Sequence, residues 1–157
     1  MESKHLEIIY QESDYDELDA ERKRLYDAAL AASGHAYAPY SHFQVGTAAL
    51  LKNGEIVMGN NQENAAYPSA LCAERVALIA ACATYPDIPV LRLAIIAQAN
   101  GEVKESISPC GACRQVMLEV EQRSKMPMEI LLCGKKKVKM FKGITSLLPF
   151  TFTADDL

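Results

Sequence analysis

Three cysteines and one glutamate stand where they could share a metal ion and move protons. Cys110 and Cys113 are three residues apart, and on the first turn of a helix that spacing puts both sulfurs on one face. Cys72 belongs to a second segment, C-A-E-R, which also looks like a helix start after a loop. Three thiolates with one open position are typical of a catalytic zinc site, because a structural site fills all four positions. Thiolate ligands also favour zinc over magnesium or calcium.

Glu74 lies two residues after Cys72, close enough to touch a water on the metal without ligating it. Zinc can bring the pKa of a bound water near neutrality, and a nearby carboxylate can take that proton and return it to the reacting base. An isolated C-x-x-C is a weak signal in a reducing compartment. The added C-A-E-R segment makes the combination specific, and it predicts hydrolytic chemistry with Glu74 as the proton carrier.

Composition favours one domain that acts on a small ligand. The chain has 157 residues, of which 50% are hydrophobic and 23% charged, and a net charge of -4. This acidity argues against a protein that binds a nucleic-acid backbone. No apolar run approaches the roughly 18 residues of a membrane span, and the N-terminus lacks the apolar core of a signal peptide. We therefore expect a cytoplasmic protein with no nucleic-acid or membrane partner, whose five cysteines are ligands or core thiols and not disulfides.

The elements that must position these residues follow the order helix, two strands, helix, strand, helix, two strands, which predicts a mixed sheet covered by helices. We expect residues 1–14 to be a flexible extension and 15–157 a single catalytic domain. Gly34 suits the left-handed position after the first helix, and the direction of the last two strands stays open. The predicted elements are helices over 15–32, 72–84 and 111–122 and strands over 45–51, 55–59, 91–97, 128–133 and 137–141.

Several segments of the chain together resemble the zinc cytidine deaminase family, which includes a three-Cys form with a non-ligand Glu. The resemblance extends from about Tyr37 to Leu157. It implies an α/β fold, a three-layer αβα sandwich with a central mixed five-stranded sheet, one Zn²⁺ per chain and a homotetramer. The matching segments are Tyr40-Ser41-His42-Phe43, Val45-Gly46, Asn61-Gln62-Glu63-Asn64-Ala65-Ala66-Tyr67, Cys72-Ala73-Glu74-Arg75, Pro109-Cys110-Gly111-Ala112-Cys113-Arg114, and Leu147-Leu148-Pro149 with Phe152.

The resemblance also implies a reaction, the deamination of cytidine and deoxycytidine to uridine and deoxyuridine in pyrimidine salvage. Glu74 would take a proton from the activated water, which attacks C4 of cytosine, and pass it to N3 before ammonia leaves. Asn61 and Glu63 would bind the ribose hydroxyls, and Phe43 would stack near the pyrimidine.

Three further residues receive roles by the same resemblance. The backbone of Ala73 would read the edge of the base, and Tyr67 would be a further substrate contact. Phe152 would reach the site of a neighbouring subunit, which makes the sites of the homotetramer composite.

Two arginines are candidates for tuning the metal. Three thiolates on Zn²⁺ leave a net charge of -1, which opposes loss of a further proton from the bound water. Helix N-termini supply about half a positive charge each. Arg75 directly follows Glu74, and Arg114 directly follows Cys113. Both guanidinium groups could add charge-assisted hydrogen bonds to the sulfurs.

Other functions share parts of the pattern. A deaminase of aminonucleoside antibiotics, of the blasticidin S type, has the same Cys segments, but the Asn61-x-Glu63 pair and Arg75 favour cytidine. A polynucleotide deaminase is disfavoured by net acidity, and we expect the basic run around Lys135-Lys136-Lys137 to be a solvated hairpin. A non-catalytic, zinc-stapled module would need a fourth ligand, and the sequence offers no convincing one.

Overall fold

A mixed seven-stranded sheet forms the centre of the molecule in the computed structural model, which describes residues 1–157. The strands follow the spatial order β1-β7-β6-β4-β2-β3, and β5 pairs with the end of β4. Only β4 and β6 are parallel neighbours. The strands are β1 (Gln11–Asp14), β2 (Phe43–Leu51), β3 (Ile56–Asn60), β4 (Val90–Ala99), β5 (Glu102–Val103), β6 (Glu129–Cys133) and β7 (Lys137–Lys142), and the helices are α1 (Ala20–Ser33), α2 (Ala73–Thr84) and α3 (Gly111–Ser124).

Helices cover both faces of the sheet, which confirms the α/β class and the three-layer arrangement. Successive side chains of a strand point to opposite faces, and β2 shows this clearly. Its residues Ala48 and Leu50 pack in one core with α1, whereas Ala49 and Leu51 pack in the other core with α2 and α3. The expected number of five strands is too low, because β1 and β5 add to the five that the sequence predicted.

Two glycines let the helices lie directly on the sheet. A Cβ on Gly46 would stand 2.0 Å from the Ala29 carbonyl oxygen of α1, and one on Gly59 would stand 2.5 Å from the Ala77 nitrogen of α2. Any side chain at either position would push the helix away. The close approach at Gly59 fixes the first two turns of α2 above β3.

The parallel pair sets the position of α3. Because β4 and β6 are parallel, the segment that connects them must cross over one face of the sheet. The helix in such a connection packs on that face. Because α3 lies in this crossover, its N-terminus begins near the carboxyl end of β4. The N-termini of α2 and α3 therefore meet on the same side of the sheet.

The acidic strand β1 pairs antiparallel with the lysine-rich strand β7. Glu12 stands opposite Lys139 and Asp14 opposite Lys137, and the Lys137 Nζ lies 2.9 Å from the Asp14 carboxylate. Residues 11–14 were expected in the flexible extension, but they form an edge strand of the sheet. Two lysines of the basic region, Lys137 and Lys139, thus lie in a strand whose partner residues carry carboxylates.

Two local expectations near α1 are wrong. The predicted helix start at residue 15 is a single 3-10 turn, and α1 begins after Asp19, whose carboxylate accepts a hydrogen bond from the Arg22 backbone nitrogen at 2.8 Å. Gly34 has φ -64° and not a left-handed conformation, because the chain continues into further tight turns there.

The last two strands, whose direction the sequence left open, form an antiparallel hairpin. None of the helices has the length and apolar character to cross a membrane.

Candidate metal centre and active site

Three thiols converge where α2 and α3 begin. Cys72 and Cys110 are the residues that immediately precede α2 and α3, and Cys113 lies on the first turn of α3. The Cys72 and Cys110 sulfurs are 3.9 Å apart, those of Cys110 and Cys113 are 3.4 Å apart, and all three lie within 4.8 Å of one another. Zinc–sulfur bonds of about 2.3 Å in a tetrahedron separate neighbouring sulfurs by about 3.8 Å. The donor set therefore fits a zinc ion with one open position.

The surroundings of Cys72 favour its thiolate, the form that binds a metal. A hydrogen bond from the Cys113 thiol, together with the Arg75 guanidinium, lowers the pKa of Cys72 to about 5. The hydrogen bond to Cys72, and then burial, raise the pKa of Cys113 above its ordinary value. Both helix N-termini point their partial positive charge at the cluster.

The two arginines have different partners. Arg75 donates from Nη2 to the Cys72 sulfur at 3.8 Å and to the Ala70 carbonyl oxygen at 3.2 Å. Arg114 donates instead to the carbonyl oxygens of Pro109, at 2.8 Å, and of Leu147. Arg75 thus makes the expected contact with a ligand sulfur. Arg114 ties the loop before α3 to the C-terminal segment and makes no hydrogen bond to a sulfur.

Glu74 is a buried carboxyl group on the first turn of α2, with 4% of its surface exposed. Burial, and then the negative charge at Cys72, raise its pKa above the ordinary value for a glutamate. A carboxyl with a raised pKa is better suited both to accept and to return a proton. A buried carboxyl with a raised pKa beside a cluster of thiols marks a candidate catalytic site.

Asn61 and Glu63, expected to bind a ribose, hold the loops around the site together. The Asn61 amide oxygen accepts from the Val45 backbone nitrogen at 2.8 Å, and its amide nitrogen donates to the Phe43 carbonyl oxygen at 2.9 Å. Glu63 accepts from the Tyr40 backbone nitrogen at 2.9 Å and from the Ser41 hydroxyl. The bond from Ser41 and the bond from Tyr40 lower the pKa of Glu63, so its carboxylate is charged at neutral pH.

The aromatic candidates remain partly or largely exposed. Phe43 is half-buried at the start of β2. Tyr67 is 73% exposed, and its ring meets that of Tyr40 edge to face with centroids 6.1 Å apart. Phe152 is 60% exposed, although its carbonyl oxygen accepts from the Gln115 side chain of α3 at 2.9 Å. Ala73 is buried at the start of α2.

Sequence reasoning missed two polar residues near the site. Ser41 donates a hydrogen bond to Glu63. It belongs to one of the matching segments, but the resemblance assigned it no role. Thr47 is fully buried, and its hydroxyl has no hydrogen-bond partner. Thr47 could have been identified from the sequence, because it is the single polar residue in the apolar run from Val45 to Leu51.

Comparison with known proteins agrees with the geometry. The sequence pattern of the family described as cytidine and deoxycytidylate deaminase zinc-binding region matches residues 19–128. The chain is 38% identical over 138 residues to a cytidine deaminase of Halalkalibacterium halodurans, covering 87% of this chain and 98% of that one. It is 38% identical over 144 residues to a cytidine deaminase of Sporosarcina psychrophila, covering 92% and 95%.

Solved structures share the fold. The crystal structure of a cytidine deaminase from Burkholderia pseudomallei superposes with a TM-score of 0.72 at 38% identity, over 83% of this chain and 98% of that one. The structure of a cytidine deaminase from Mycobacterium tuberculosis gives a TM-score of 0.66 at 34% identity, over 86% and 99%.

Proposed function

The chain belongs to the family of cytidine and deoxycytidylate deaminases with a zinc-binding region, and from this we propose that it converts cytidine and deoxycytidine to uridine and deoxyuridine with release of ammonia. The single observation that carries the proposal is the meeting of Cys72, Cys110 and Cys113 at two helix N-termini beside the buried carboxyl of Glu74. This arrangement would hold a zinc ion with one open position and places a proton carrier next to it.

The chain's own residues divide the work of the reaction. Cys72, Cys110 and Cys113 would hold a zinc ion, which would supply the Lewis acidity that makes water a nucleophile near neutral pH. Glu74 accepts a proton from the attacking water as the new C–O bond forms at C4 of cytosine, and delivers that proton to N3. Glu74 then takes the remaining proton from the oxygen added at C4 and carries it to the amino group, so that the C4–N bond breaks, a carbonyl forms at C4 and ammonia leaves.

Recognition of the nucleoside rests on the loops that Asn61 and Glu63 hold. The Asn61 amide and the Glu63 carboxylate each keep hydrogen-bonding capacity beyond the bonds they make within the chain, and both serve the ribose hydroxyls. Phe43 and Tyr67 offer ring surface to the pyrimidine, and the Ala73 backbone contacts the edge of the base. Arg75 withdraws charge from the Cys72 sulfur, with which it is in contact.

We further place the enzyme in the cytoplasm, in pyrimidine salvage, as a homotetramer. A cluster of three free thiols needs a reducing compartment to stay available for zinc. Exposed aromatic rings support the assembly, since Phe150 and Phe152 at the C-terminus are 97% and 60% exposed. In the tetramer Phe152 completes the site of a neighbouring subunit.

Two measurements on the purified protein test the function. Absorbance should fall as cytidine becomes uridine, and a chelator that removes the zinc should abolish the change, with activity restored by added zinc. A blasticidin S-type enzyme would act on the antibiotic and leave cytidine unchanged. A protein that holds zinc with four ligands and deaminates nothing would be a zinc-stapled module, and the proposal would be wrong.

A further inference from the structure

Thr47 is a buried hydroxyl group without a hydrogen-bond partner. Four polar side chains are buried in the molecule: Ser33, Thr47, Glu74 and Glu121. The Ser33 hydroxyl bonds to the Leu30 carbonyl oxygen and to Gln98, and Glu121 accepts from two backbone nitrogens. Thr47 is 0% exposed, yet its Oγ1 has no partner. Buried polar groups that stay unpaired destabilise a fold, so each one calls for a physical reason.

Strand register locates this hydroxyl below the start of α2. Thr47 pairs with Gly59 of β3 and with Ile95 of β4, and paired residues direct their side chains to the same face. A Cβ on Gly59 would stand 2.6 Å from the Ala73 carbonyl oxygen and 2.5 Å from the Ala77 nitrogen. The first turns of α2 thus lie directly above Gly59, on the face to which Thr47 also points.

The buried side of α2 contacts both β3 and β2. Ala73 and Ala77 lie over Gly59 of β3, and Glu74 and Leu78 are the next residues round the helix, about 100° further on. Both are buried, and Leu78 belongs to the same core as Ala49, which is two residues beyond Thr47 on the same face of β2. On this register Glu74, one turn before Leu78, lies on the side of α2 nearest Thr47.

We propose that Thr47 is a positioning residue for Glu74: its hydroxyl, directly or through one buried water, hydrogen-bonds the Glu74 carboxyl group and fixes its orientation when substrate is bound. The inference rests on the proposed deamination and adds to it a residue outside the metal and ribose contacts. A carboxyl that must first accept and then deliver a proton at two different atoms works best when its orientation is fixed by a supporting hydrogen bond. The unpaired hydroxyl is then a group kept for function at a cost in stability.

Thr47→Val tests the proposal, because valine keeps the shape and removes only the hydroxyl. We expect kcat on cytidine to fall about tenfold or more, as for loss of a hydrogen bond to a charged group. KM should stay within about twofold, zinc content should be unchanged, and the melting temperature should be equal or higher since an unpaired hydroxyl has left the core. Thr47→Ser, which keeps the hydroxyl, should recover most of the lost kcat.

A matched control uses another buried hydroxyl, that of Ser33. Ser33→Ala removes hydrogen bonds on the α1 face and should lower the melting temperature while kcat stays unchanged. Thr47→Val with wild-type kcat would overturn the inference while leaving the proposed function intact. A Thr47→Val protein that loses zinc or stability together with kcat, without recovery in Thr47→Ser, would also overturn it by showing a structural role. A wild-type protein inactive on cytidine would refute the proposed function itself.

Discussion

Glu74 combines burial with a position two residues from a ligand, and both properties bear on catalysis. Burial raises its pKa, which suits a group that must accept and return protons near neutral pH. Glu74→Gln keeps the size of the side chain and removes its ability to carry a proton. We expect kcat on cytidine to fall on the order of 10²–10⁴-fold, with zinc content near one ion per chain. Metal analysis and steady-state kinetics on the same sample check this, and near-normal turnover would refute the role.

Arg75 and Arg114 allow a comparison of two arginines near one cluster. Arg75 contacts the Cys72 sulfur, whereas Arg114 contacts two backbone carbonyl oxygens. Removing a group that orients a metal ligand typically costs about 10–100-fold in metal affinity or activity. We therefore expect Arg75→Ala to weaken zinc binding or turnover by that factor, measured by competition with a zinc indicator and by kinetics.

Arg114→Ala is the matched control for that prediction. It should lower the melting temperature, because the loop before α3 loses its tie to the C-terminal segment, while zinc affinity in the folded protein changes less than in Arg75→Ala. An Arg75→Ala protein with full zinc affinity and full turnover would contradict the assignment.

At this scale the sequence predicted which three cysteines come together, but it did not predict the partners of the other residues. The three cysteines and Glu74 were identifiable because helix-start spacing decides which of their side chains can share an ion. The contacts of Asn61 with Phe43 and Val45, and of Arg114 with Leu147, join segments far apart in the chain. Only the tertiary fold brings such partners together, so no local pattern could predict them.

Among the elements, α3 is fixed at both ends, and its far end carries a buried carboxyl. The Glu121 Oε1 atom accepts from the backbone nitrogens of Met128, at 2.9 Å, and Ile144, at 3.0 Å. These bonds tie the end of α3 to the start of β6 and to the turn after β7. Burial nevertheless raises the pKa of Glu121.

The raised pKa of Glu121 makes the stability of the folded protein depend on pH. Because the folded protein binds this proton more tightly than the unfolded chain, stability falls as pH rises from the ordinary carboxyl pKa, 4.5, to the raised one. Glu121→Gln still accepts both bonds and does not titrate. We expect its melting temperature, relative to wild type, to gain as pH rises above the ordinary carboxyl pKa of 4.5. Calorimetry of both proteins measures this difference, and parallel curves would contradict it.

Strands were predicted best where their pattern is local. The apolar runs of β2 and β4 identified both central strands, but β1 was assigned to a flexible extension. Its residues are all polar, and their pairing with β7 depends on opposite charges that are over a hundred residues apart in the chain. Similarly, β5 is only two residues long, too short to show any periodicity.

The whole molecule leaves aromatic surface uncovered near its C-terminus. Phe152 is 60% exposed, and an exposed aromatic ring on an anchored segment is typical of a contact between subunits. We expect a homotetramer with a mass of four chains of 17.2 kDa, measured by light scattering. Phe152→Ala should keep zinc and lose about tenfold in kcat/KM.

Mixing two impaired variants shows in which subunit Phe152 acts. A subunit with Phe152→Ala still has Glu74, and one with Glu74→Gln still has Phe152. If Phe152 completes a neighbour's site, mixed assemblies formed by co-expression contain sites in which both groups are intact. With random pairing about a quarter of the sites would be complete, so activity should rise well above that of either parent. Activity equal to the average of the two parents would place Phe152 in the site of its own chain, because no mixture could then restore a site.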